Sequence, residues 1–196
     1  IVPELLAVAG ALLGLWWVAY LMRFHRAGRA FPELHAGSHP EPPPGGAPSL
    51  SVIVAAKDEQ DAVERCVRSL IAQDVPDLEV VVVDDRSADA TPAILERLRQ
   101  ELSPRLAVVT VRELPSGWGG QCHALHEGVR ASRGEWLCFT DADCRLDSPR
   151  ALTVAWREAR ASGAELLSVL PRMEAPTAWE KVYLPLCSFT LLVHLR

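Results

Sequence analysis

Three short stretches of the chain carry acids at a spacing that could do chemistry. FTDADC at 139–144 sets Asp141 and Asp143 one residue apart, KDE at 57–59 pairs Asp58 with Glu59, and VVVDDRS at 81–87 carries Asp84 and Asp85. Any one of them alone is an ordinary turn, because aspartate is common where strands end. Together, on one edge of a sheet, they would repel each other unless a cation or a donor-rich ligand compensated them. Paired carboxylate oxygens suit Mg²⁺ or Mn²⁺ better than zinc, and Mg²⁺ completes its shell with water and substrate phosphates. The pattern therefore points to a metal-bridged phosphate, and a diphosphate fits it best. The acid that ends the second apolar run, at 84–85, lies beyond the metal's reach and suits hydrogen bonds from a nucleobase or ribose. A glycine-rich loop, LPSGWGGQ at 114–121, adds a fourth segment. No G-x-x-x-x-G-K-[ST] loop exists and no G-x-G-x-x-G follows the first strand, which excludes two common phosphate cradles.

These stretches need a scaffold that delivers them to one edge, and the hydrophobic pattern supplies one. LSVIVAA (50–56), LEVVVVDD (78–85), LAVVTV (106–111) and EWLCFT (135–140) are short apolar runs that read as buried strands, and AELLSVL (164–170) reads as a fifth. Between them, residues 60–73 place Val63, Val67, Leu70 and Ile71 at helical spacing. Thr91-Pro92 opens a second helix with a capping residue and a proline at its first position, HALHEGVRAS reads as a third and 149–161 as a fourth. Near-continuous apolar strands alternating with amphipathic helices predict an α/β fold with a mainly parallel sheet covered on both faces. In such sheets ligands bind outside the carboxyl ends of the strands, where all the acidic stretches fall.

In front of this domain, residues 5–22 run eighteen positions without a charge, and Trp16, Trp17 and Tyr20 lie near the end. A bilayer core takes about twenty apolar residues as a helix, so a transmembrane helix is expected over 1–22. Arg23, Arg26 and Arg29 follow, which puts the body of the protein on the cytoplasmic side of an inner or plasma membrane. Residues 23–48 form a basic linker that becomes rich in proline and glycine, and the folded domain is expected over 49–196. The formal net charge of −5 and the lack of a basic stripe with aromatics exclude nucleic acid as a partner. Five cysteines without a C-x-x-C read as free thiols.

Taken in order, these stretches resemble the family 2 glycosyltransferases of the GT-A fold, a nucleotide-diphospho-sugar transferase fold of Rossmann-like type. SVIVAAKDE is similar to that family's first-strand motif, VVVDDRSADAT to its V-D-D-x-S-x-D-x-T, GWGGQCHALHEGV to its G-K-x-x-A-L-x-x-G, and FTDADC to its D-x-D. The leading apolar helix and WEKVYLPL at 179–186 resemble its hopanoid-associated and ceramide-glucosyltransferase-like membrane branches. The resemblance implies an inverting transfer of sugar from a nucleotide-sugar, a UDP-sugar before a GDP-sugar, to a lipid or membrane-associated acceptor. It implies that Asp85 binds the base, with Asp58 or Glu59 lining the nucleotide pocket. Asp143 would hold the Mg²⁺ or Mn²⁺ ion and Asp141 the ribose or sugar, alongside the metal. Gln121 stands where the family usually has lysine, and glutamine brings a hydrogen bond but no charge. The family's general base lies in a later E-D motif and is expected beyond Arg196, so the chain reads as the donor half of a larger, C-terminally incomplete enzyme. Two other readings stand beside this one: a nucleotide-binding membrane protein without turnover, and a phosphatase of the haloacid dehalogenase type.

Several residues carry less. His123 and His126 have metal-ligand spacing on a helix but no third ligand, which favours packing. Trp118 either covers a sugar or braces its loop. Residues 182–195 read as an interfacial segment, core or bare surface.

Overall fold

The computed structural model describes residues 2–30, 34–35, 37–38, 46, 48–169, 174–181 and 183–184. Within the first helix, the side chains of residues 2–7, 9, 24–25 and 27–30 lie outside that description. The chain divides into two compact units, one holding residues 1–33 and 168–196 and the other Leu34–Leu167.

In the first unit, α1 (Val2–Ala30) spans 29 residues. It starts earlier than the apolar run and continues past it through Arg23 and Arg26. Its described apolar side chains stand out into their surroundings all round the helix, from Val8 and Leu12 to Leu21 and Met22. Trp16 stacks on Tyr20 with centroids 5.1 Å apart, and Trp17 meets both rings edge-on. Among the described residues no helix is long and apolar enough to cross a membrane. The expected transmembrane helix over 1–22 is therefore not found. The helix forms, but the uncharged stretch within it, residues 5–22, has eighteen positions, short of the about twenty that a bilayer core takes.

The second unit is the α/β domain. Its elements are β1 (Ser49–Ala56), α2 (Val63–Ile71), β2 (Asp77–Asp85), α3 (Thr91–Leu102), β3 (Leu106–Val111), α4 (Gly120–Ala131), β4 (Trp136–Asp141) and α5 (Ala151–Ser162). The four strands run in the order β3-β2-β1-β4 and every pairing is parallel. The start of α3 differs from a simple threonine cap. Thr91 is the first helical residue, and the Asp89 carboxylate accepts its N–H at 2.9 Å.

Because paired residues of a parallel sheet share a face, the register sorts the core. Val52 and Val54 of β1 align with Val80 and Val82 of β2, and this face packs on Val63, Val67 and Leu70 of α2 and Leu95 and Leu98 of α3. The opposite face presents Val81, Val83 and Val111 to Ala124 of α4. There α4 comes so close that a Cβ on Gly128 would run into the Ile53 side chain and stand 3.2 Å from Val83 Cγ2. Burying β-branched side chains on both faces explains why these strands are apolar throughout. At the amino end of β1, the buried Glu79 carboxylate accepts hydrogen bonds from Ser51 Oγ and the Arg133 backbone N–H, both at 2.5 Å, and from Arg133 Nε at 3.0 Å.

Two strand expectations meet the structure differently. The first four lie within a residue or two of their predicted bounds. The fifth is absent: described residues 164–169 form no strand and Leu166 is 88 % exposed. AELLSVL has the right composition, but no described strand lies beside it to satisfy its backbone groups. Cys187 and most of 182–195 lie outside the described residues.

Candidate functional site

The strand order reverses at β1: the chain moves outward through β2 and β3, then returns to the other side of β1 to lay down β4. That is a topological switch point, and the crevice beyond the carboxyl ends of β1 and β4 is where such sheets bind ligands. The loops leaving β1, β2 and β4 all carry acids there.

The β1 and β2 loops are laced together. Asp58 N–H donates to Ser87 Oγ at 3.0 Å, and Asp58 Oδ1 accepts the Ala88 N–H at 2.7 Å. Glu59 N–H donates to Thr91 Oγ1 at 2.8 Å, and Gln60 exchanges bonds with Asp89 and Ala90. Asp58 sits at φ +56, a region that short acidic side chains tolerate better than most. One oxygen of its carboxylate thus clamps the two loops together. Glu59 differs: its side chain is half-buried, and burial followed by the charges of Asp143, Asp89 and Asp141 pushes its carboxyl above the usual range. Glu59, Asp89, Asp141 and Asp143 therefore face one another's fields.

Asp141, the last residue of β4, is exposed and accepts a hydrogen bond from Gln121 Nε2 at 3.1 Å. Asp143 is exposed two residues on. Between them Ala142 is buried in the core, so the loop is anchored by its middle residue while both carboxylates point outward. Beneath it, Cys66 Sγ lies 3.6 Å from the Asp141 carbonyl oxygen, and burial foremost pushes its thiol up to about 12. A thiol so protonated at neutral pH is packing, not a nucleophile.

Asp85 occupies a second, drier position. It is 4 % exposed, and Arg86 folds back onto it, Nε to Oδ1 at 2.8 Å and Nη2 to Oδ2 at 2.9 Å. That bond holds the carboxyl below its usual range against the opposing effect of burial. On the other side stands the start of α4, where a Cβ on Gly120 would lie 2.7 Å from Asp85 Oδ2. The next residue is Gln121. The first turn of α4 thus touches Asp85 with one residue and Asp141 with the next, which joins the two acidic positions into one site. Its unpaired N–H groups and the positive end of the helix dipole lie between them, where a phosphate is favoured.

Trp118, in the glycine-rich loop, packs on α4 with its ring 5.0 Å from His126 and 5.4 Å from His123. It braces the loop. His123 is buried with Nε2 3.9 Å from Glu127 Oε1, and its Nδ1 has no hydrogen-bond partner among the described residues. The histidines are packing residues of this helix face. Among the described residues no group of three or more His, Cys, Asp or Glu could hold a metal unaided. Asp141 and Asp143 fit a hard cation whose shell is completed from outside, and the repulsion felt by Glu59 shows a local excess of negative charge that such an ion would relieve. The sequence reading passed over Arg86 and Gly120; an arginine following an aspartate and a glycine in a loop carry no pattern that announces a contact.

The sheet order and strand-end acids are those of a GT-A-like nucleotide-sugar fold. Residues 51–192 match the model of the glycosyl transferase family 2, and the chain belongs to that family. It is 35 % identical over 119 residues to the succinoglycan biosynthesis protein ExoO of Rhizobium meliloti (strain 1021), covering 61 % of this chain and 32 % of that protein. It is 39 % identical over 101 residues to the beta-monoglucosyldiacylglycerol synthase of Synechocystis sp., covering 50 % and 20 %. Among solved structures it is similar to a mannosyltransferase from Pyrobaculum calidifontis in complex with GDP-Man and Mn²⁺. That match has a TM-score of 0.60 and 33 % identity over 78 % of this chain and 43 % of that one. It is also similar to S. aureus TarS 1–349 in complex with UDP-GlcNAc, with a TM-score of 0.51 and 26 % identity over 66 % and 37 %. The chain spans about a third or less of the length of these two curated relatives.

Proposed function

We propose that this domain binds a nucleotide-sugar across the carboxyl ends of β1, β2 and β4 and supports inverting transfer of its sugar to a lipid or membrane-associated acceptor. The observation that carries the reading is the first turn of α4, which sets Gly120 against Asp85 and Gln121 against Asp141. Asp85 takes the base and Asp141 the ribose or sugar. Asp143, with Asp141, would hold Mg²⁺ or Mn²⁺; when bound, that ion offsets charge developing on the leaving diphosphate. Gln121 orients Asp141 and supplies no charge of its own. Glu59 adds to the negative field that draws the cation in. Asp58 keeps the β1 loop fixed to the β2 loop, so the site is preformed. The D-x-D follows β4 rather than β1, which removes the basis for a phosphatase of the haloacid dehalogenase type.

The lipid acceptor is supported by the diacylglycerol named in one relative, and the divalent cation by the Mn²⁺ complex of the similar mannosyltransferase. The apolar surface of α1, its Trp16–Trp17–Tyr20 cluster and the arginines that follow suit association with the cytoplasmic face of an inner or plasma membrane. Calorimetric titration of the chain with UDP and with GDP, each with Mn²⁺ and with EDTA, tests the donor site. Metal-dependent binding of a nucleotide is expected. A folded sample that binds neither nucleotide would refute the reading.

A further inference from the structure

Arg86 adopts φ +61, a backbone conformation that non-glycine residues seldom take, and there its guanidinium doubles back onto the carboxylate of the residue before it. Both carboxylate oxygens of Asp85 are engaged in that fork, the strongest geometry an arginine can offer. Oδ2 is also shut in from the other side by Gly120, whose added Cβ would stand 2.7 Å from it and 3.2 Å from Arg86 Nη2. Each carboxylate oxygen accepts two hydrogen bonds. The second lone pair of Oδ1 is therefore the acceptor that Asp85 can still offer, while the free N–H groups of the guanidinium lie beyond Oδ2.

The nucleobases make different demands on such a pair. Uracil presents a single N–H between two carbonyl oxygens, one donor that Oδ1 alone can satisfy. Guanine presents two adjacent donors, N1–H and N2–H₂, and satisfying both on one carboxylate needs both oxygens. It would have to displace Arg86 or leave a donor unpaired in a dry pocket, and either is costly. We propose that Arg86 determines base specificity, admitting a base with one N–H flanked by carbonyls, the uracil class, and turning guanine away. This rests on the reading that Asp85 faces the base.

The test compares UDP and GDP binding, with Mn²⁺, to the full chain and to Arg86→Gly and Arg86→Lys. Glycine accepts the left-handed backbone without strain, so its variant keeps the turn while freeing both oxygens. Lysine keeps the charge but cannot fork. The wild type should bind UDP at least about tenfold more tightly than GDP, the consequence of one lost charge-assisted bond. In both variants that ratio should shrink, to within about threefold for Arg86→Gly, chiefly through tighter GDP binding. A wild type that binds UDP but shows an unmoved ratio in both variants, or one that prefers GDP, overturns the inference and leaves the donor site standing. A folded wild type that binds neither nucleotide overturns both.

Discussion

Gly120→Ala places a single methyl group against the proposed base-binding carboxylate. The new Cβ would stand 2.7 Å from Asp85 Oδ2, where ordinary contact begins near 3.4 Å, so the oxygen must retreat by about 0.7 Å (3.4 − 2.7). Arg86 Nη2 is 2.9 Å from that oxygen and 3.2 Å from the added Cβ, so a straight retreat from the methyl stretches the bond to about 3.2 Å and weakens it. Weakening this charge-assisted bond costs at most about 1.5 kcal/mol, the low end of the range because Arg86 is partly solvated. Replacing glycine by alanine within a helix returns about 0.5–1 kcal/mol, so net stability should change by no more than about 1 kcal/mol. Binding should suffer more, because the Asp85 carboxylate itself is pushed from the place where it meets the base: UDP affinity with Mn²⁺ should fall at least about tenfold. Thermal unfolding and calorimetric titration read the two effects separately. Gly119→Ala, with nothing within 4 Å of the added Cβ and an extended backbone, should leave unfolding unchanged. If Gly120→Ala bound UDP as the wild type does, Asp85 would not be the base-binding group. A large loss of stability would show that α4 and β2 pack more tightly than these distances imply.

The remaining predictions concern the scaffold. Glu79→Gln should destabilise the domain by about 2 kcal/mol at neutral pH, since a buried carboxylate loses charge-assisted bonds from Ser51 and Arg133. Burial opposes its ionisation, yet those bonds hold its carboxyl below the usual range. Its contribution is therefore complete above the unfolded-state value near 4.3 and is lost as pH falls through the lower folded-state value. Denaturant titrations between about pH 3 and 7 should show a shallower acid slope in the variant. An unchanged slope would remove Glu79 from the account. Gly128→Ala should cost about 1–3 kcal/mol by overpacking α4 on Ile53 and Val83, lowering the unfolding midpoint by several degrees. A midpoint within a degree of wild type would mean that the helix lifts off the sheet at little cost.

How much of this was legible beforehand differs by element. Strands β1 to β4 could be read because each is apolar over most of its length; β1 and β2 are buried on both faces, whereas β4 leaves Leu137 and Phe139 exposed, against the expectation of a buried strand. AELLSVL has the same composition and is not a strand, because a strand also needs a partner for its backbone. The order β3-β2-β1-β4 is not written in any one segment; it follows from which strands pair, and it is what brings the loops after β1 and β4 together. Asp141, Asp143 and Glu59 were found by position at strand ends. Asp58 was found by the same rule, but its carboxylate is used in bracing, since neighbouring acids look alike until their hydrogen bonds are known. Arg86 and Gly120 were invisible, because their contacts depend on a left-handed backbone and on how closely α4 approaches β2. The apolar run of α1 announced a helix correctly, but not the extent of the helix through its arginines.

The central claim is that Asp141 and Asp143 hold a divalent cation against a nucleoside diphosphate. Electron paramagnetic resonance of Mn²⁺ tests it most directly, because the signal of the free ion falls as the ion binds. In the presence of UDP the wild type should take up one Mn²⁺ per chain. Asp143→Asn, still folded by circular dichroism, should bind it at least about tenfold more weakly, while Asp61→Asn, exposed in the turn before α2, should bind as wild type. Equal Mn²⁺ uptake by wild type and Asp143→Asn, or none by either in the presence of UDP, would contradict the account.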